Sequence, residues 1–84
     1  MTKKTNQPRQ TAAEAYAAAR SDIARLLDVL DMELAKHETR AKADARDWGF
    51  AGDLQKVRSD LIDTVAFASG MEREAVEGFL ADAE

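Results

Sequence analysis

The chain has 84 residues, room for one domain and no more. Its 12 basic and 16 acidic residues leave a net charge of −4, a poor balance for neutralising the phosphates of a nucleic acid. With no Cys, it has neither a disulfide framework nor a Cys-based zinc site.

The apolar content is mostly small. Seventeen residues are Ala and only 21 apolar residues are larger. Ala, Glu, Lys, Leu and Arg together make up about half of the chain, the composition of long helices and coiled coils. The fold class that follows is all-α: one long helix folded back on two shorter ones, a helical hairpin. So few large side chains make a thin core for a monomer, and a second subunit completing a bundle is the expected remedy. No apolar run approaches the roughly 18 residues of a membrane span. Lys3 and Lys4 lead into Thr5, Asn6, Gln7 and Pro8 rather than the apolar segment of a signal peptide, so the cytoplasm is the expected compartment.

Residues 1–10 are polar and hold Lys3, Lys4 and Arg9 without an acid. They read as a disordered basic tail ahead of a single helical domain over residues 11–84. The first helix is expected over residues 11–47. Thr11 is a good N-cap and Glu14 stands three residues on, the spacing of a capping box. At 100° per residue, Tyr16, Ala19, Ile23, Leu26, Leu27, Leu30, Leu34, His37, Ala41 and Ala45 fall on one stripe, with spacings of three and four through most of it. Val29 and Met32 lie off that stripe, and Ala12 to Ala19 offer a small-residue face.

The segment Asp47-Trp48-Gly49-Phe50-Ala51-Gly52-Asp53 reads as the inter-helix turn. Gly49 suits a left-handed helix stop, Phe50 its apolar contact, and Asp53 the next N-cap. Trp48, projected onto the stripe, would plug the end of the core. This stretch with Leu54, followed by Val57, Leu61 and Phe67, resembles the Trp-Gly-aromatic-x-Gly-Asp-Leu turn of a group of small uncharacterised bacterial helical proteins. The resemblance covers residues 20–80. It implies a helical fold and a bacterial or mobile-element origin, and it implies no activity.

A second helix is expected over residues 54–69, with Leu54, Val57, Leu61, Val65 and Ala68 as its apolar stripe and Ile62 on the flank. Phe67 points nearly the other way. Gly70 then breaks the helix, and Ser69 with Glu72 repeats the capping-box spacing, so a third helix is expected over residues 71–83. Its apolar side is Ala75, Val76, Phe79, Leu80 and Ala83, and Gly78 weakens it.

Chemistry is sparse. His37 is the sole His, with Glu33 one turn before it; two ligands on one helix do not make a metal site. Asp28, Asp31, Asp60 and Asp63 fall mostly on polar faces, and Ser21, Ser59 and Ser69 have no His beside them in sequence. The glycine turn lacks the Lys-Ser/Thr of a phosphate loop. Read as a helix-turn-helix, the last two helices would offer DNA a recognition helix with Glu72, Glu74, Glu77 and Asp82 against Arg73 alone, which argues against base reading. No cofactor and no metal are expected. The function that follows is a non-enzymatic, homodimeric protein–protein interaction module, with Val29, Met32 and Phe67 as the candidate self-association or partner surface and Trp48, Gly49, Phe50, Gly52 and Asp53 as the structural turn. The alternative is a small regulator or antitoxin-like protein whose basic tail touches nucleic acid.

Overall fold

The computed structural model describes residues 9–82, and every regular element among them is a helix: α1 (Ala12–Ala43), α2 (Trp48–Ser69) and α3 (Arg73–Asp82). The chain divides into two units, Met1–Thr39 and Arg40–Glu84, with the boundary inside α1. The tail residues Lys3 and Lys4 lie outside the described residues, as does Ala83; Arg9 is exposed.

Among the described residues of the first unit, the regular structure is α1 from Ala12 onward. Its start is the capping box expected from the sequence. The Glu14 N–H donates to Thr11 Oγ1 at 3.1 Å, and the Thr11 N–H donates back to Glu14 Oε1 at 2.9 Å. Two orphan donors of the first turn are thereby satisfied. No residue of α1 is buried. Leu30, Leu34, His37 and Ala41 are half-buried, while every described residue from Arg9 to Val29 is exposed.

α1 ends earlier than expected, at Ala43. Two turn hydrogen bonds follow it, Asp44 N–H to the Ala41 carbonyl and Asp47 N–H to the Asp44 carbonyl, each 3.1 Å. Asp47 then adopts an extended backbone (φ −82°, ψ 105°), and its Oδ1 accepts the Gly49 N–H at 2.8 Å. That makes Asp47, not Asp53, the N-cap of α2. The expected turn residues Trp48, Gly49, Phe50, Gly52 and Asp53 are therefore the opening of a helix, and the connection is residues 44–47. Gly49 does not take a left-handed conformation; among the described residues only Gly70 has a positive φ. Nor does Trp48 plug a core: it is 81% exposed. The 100° step that placed it on the α1 stripe is valid only while one helix continues, and the break after Ala43 resets the phase.

The far end of α2 is as expected. Gly70, at φ 76° and ψ 10°, is the left-handed cap after Ser69, and its N–H reaches the Ala66 carbonyl at 2.9 Å. Ser69 does not box with Glu72. Its Oγ accepts the Met71 N–H at 3.2 Å instead, and α3 begins two residues later than expected, with the Glu72 carbonyl accepting from Ala75 and Val76.

In the second unit α3 turns back along α2. The core there is Ile62, 3% exposed, and Val76, 6% exposed; among the described residues these alone are buried. Ser59 and Ala66, one turn either side of Ile62, are half-buried on the same face. The buried face of α2 is thus displaced from the expected stripe. Ile62, taken as flank, is the centre, and Leu54, Leu61 and Val65 of the expected stripe are exposed, while its Val57 is half-buried and Phe67 is exposed as expected. The reason is a tether that apolar periodicity does not see, the side chain of Arg73.

Candidate functional site

Arg73 opens α3 with four polar partners. Nη1 donates to the Ser59 carbonyl at 3.2 Å and to Asp63 Oδ1, Nη2 donates to Ser59 Oγ at 3.1 Å, and Nε donates to Glu77 Oε2 at 3.3 Å. A planar guanidinium suits this fork; a Lys in its place could not span it. Hydrogen bonding to Asp63 is the largest influence on the Arg73 guanidinium and raises it above its ordinary value; its burial opposes this, and the charges of Asp63 and Glu77 reinforce it. The clamp holds α3 on the Ser59–Ile62–Ala66 face. It also engages the one cation of α3, which removes the group that a DNA-reading helix would need. The sequence carried a signal for this: Arg73 is the only base after Arg58, in a segment rich in acids.

Two of the other carboxylates considered as chemistry, Asp60 and Glu33, stand in local pairs. Lys56 Nζ meets Asp60 Oδ2 at 2.5 Å, and that hydrogen bond raises the Lys56 ammonium. Lys36 Nζ meets Glu33 Oε2 at 3.1 Å. Both pairs are exposed and add little to stability. Among the described residues no three His, Cys, Asp or Glu side chains group as metal ligands do.

What α1 offers is apolar surface. Tyr16 is 72% exposed and Leu26 64% exposed, and Ile23 and Leu27 are exposed beside them on the stripe. Val29 and Met32, the two candidates off the stripe, are exposed on the same helix. Phe67, the third, stands 90% exposed on α2. Sequence reasoning singled out these three and overlooked the stripe itself, which it assigned to the core. Single exposed apolar side chains are ordinary, but a continuous run along one helix face is the mark of an interaction surface. Among the described residues no helix is long and apolar enough to cross a membrane.

No family model matches the chain, and no curated protein or solved structure matches it.

Proposed function

We propose that the protein is a non-enzymatic helical interaction module of the cytoplasm whose first partner is a second copy of itself. The observation that carries this reading is the stripe of Tyr16, Ile23, Leu26 and Leu27, exposed along a helix with no buried residue. A helix in water draws little stability from propensity alone and depends on packing its apolar face. Fully burying each large side chain of the stripe contributes about 1.5–3 kcal/mol. The helical-hairpin arrangement and its completion as a bundle by the second copy belong to the same proposal. In such a bundle the stripe, about 100° wide, faces the middle, and Val29, Met32 and Phe67 remain for a further protein partner.

Sedimentation equilibrium tests it. The chain should run at twice the mass of one polypeptide, and the double substitution Leu26→Glu, Leu27→Glu should return it to the single mass with α2 and α3 still helical. A wild-type chain that stays monomeric at high concentration contradicts the reading.

A further inference from the structure

α1 is one uninterrupted helix with two unlike halves. Leu30, Leu34, His37 and Ala41 are half-buried, at spacings of four and three, whereas every described residue up to Val29 is exposed. Residues 12–29 are therefore helical with no packed side chain to hold them.

Their local signals favour extension of a helix. Seven of residues 12–29 are Ala, the best helix former, and none is Gly or Pro. The Thr11–Glu14 box closes the first turn. None of this removes the difficulty of starting a helix. Fixing the first turn carries a statistical weight on the order of 10⁻³, and isolated helices of about this size are marginal in water even when rich in Ala. What residues 12–29 lack is a nucleus. The half-buried segment from Leu30 onward supplies one, joined to them with no Gly or Pro between.

We infer that the leading half of α1 is propagated from the packed half and is helical in the single chain before anything docks on its stripe. Two consequences follow for recognition. A surface that docks on Tyr16, Ile23, Leu26 and Leu27 meets a formed helix, so the backbone ordering that a disordered segment undergoes on binding is already done. Docking is also coupled to the packed half through the helix backbone. The fraction of chains with a helical leading half scales the apparent affinity for any occupant, so breaking the link weakens docking without replacing a stripe residue. This holds whether the occupant is a second copy or another protein, and it stands apart from the dimer reading above.

The test uses the full chain carrying Leu26→Glu and Leu27→Glu. Backbone Cα chemical shifts are recorded over a dilution series and extrapolated to zero concentration. Residues 12–29 should keep helical shifts, declining with distance from Leu30. Asp28→Pro, at an exposed position off the stripe, removes a helix N–H and sets its ring against the carbonyl four residues back. Added to the same chain, it should lower the helicity of residues 12–24 several-fold while residues 32–43 keep theirs. Ala12→Pro puts the same residue at the first helical position, where Pro is tolerated, and should leave the leading half unchanged. If Asp28→Pro disturbs residues 32–43, Arg25→Gly with Asp28→Gly weakens the same link more gently and should give the same selective loss. Coil shifts across residues 12–29 before any link is broken overturn the inference, because the leading half then folds only on docking. Equal helicity of residues 12–24 with and without the broken link also overturns it, because the leading half then holds itself. A chain that sediments as a monomer with a helical leading half removes the dimer reading and supports this one.

Discussion

Residues 12–29 of α1 and the α2–α3 pair are both amphipathic and helical, yet they are stabilised in different ways. α2 and α3 hold each other within the second unit, where Ile62 of α2 and Val76 of α3 are the buried residues and Arg73 of α3 reaches Ser59 and Asp63 of α2. Residues 12–29 have a well-made start at Thr11 and Glu14 and a full apolar stripe, and every one of their side chains is exposed. Good local signals are enough to define a helix. Whether its apolar face is covered depends on a partner surface, which neither capping nor periodicity supplies.

The contrast can be broken most forcefully at its buried end. Ile62→Ala removes the centre of the α2–α3 contact, and a large-to-small change at a buried position costs about 2–5 kcal/mol. Near-complete loss of α3 helicity by NMR is expected, with residues 12–29 unchanged. The hinge between those helices comes next. Gly70→Ala forces a Cβ into a left-handed backbone, φ 76°, at a cost of about 1–2 kcal/mol. Thermal denaturation should show the loss in a single step down in Tm.

Gly78→Ala should go the other way. A Cβ there meets nothing within 4 Å, and Ala in a helix interior is favoured over Gly by about 1 kcal/mol. A rise in Tm confined to α3 is the expected outcome. Smallest of all is Trp48→Ala. With its ring 81% exposed on the first turn of α2, removal should leave the unfolding free energy within about 0.5 kcal/mol of wild type. A large drop would mean that Trp48 is covered after all.

Much of this fold is legible in the sequence, and the misses share a cause. The capping box at Thr11, the end of α2 at Ser69 and the helix break at Gly70 follow from residue chemistry within four positions, and the structure has them where expected. The inter-helix turn is misplaced because two aspartates compete for one N-cap. Asp47 takes it, which turns Trp48, Gly49, Phe50, Gly52 and Asp53 into helix. The buried face of α2 is misread because α3 is positioned by a hydrogen-bonded Arg rather than by the strongest apolar stripe. Of the candidate surface, Val29, Met32 and Phe67 could be named from the wheel. The exposure of Tyr16, Ile23, Leu26 and Leu27 could not, because a stripe looks the same in sequence whether it is covered within the chain or by a second copy.

Amide hydrogen exchange measured across a range of protein concentrations tests the central claim most directly. Protection over residues 12–29 should rise steeply with concentration, while protection around Ile62 and Val76 should hold steady. If residues 12–29 are as protected at the lowest concentration as at the highest, the stripe is covered within a single chain and the account is wrong.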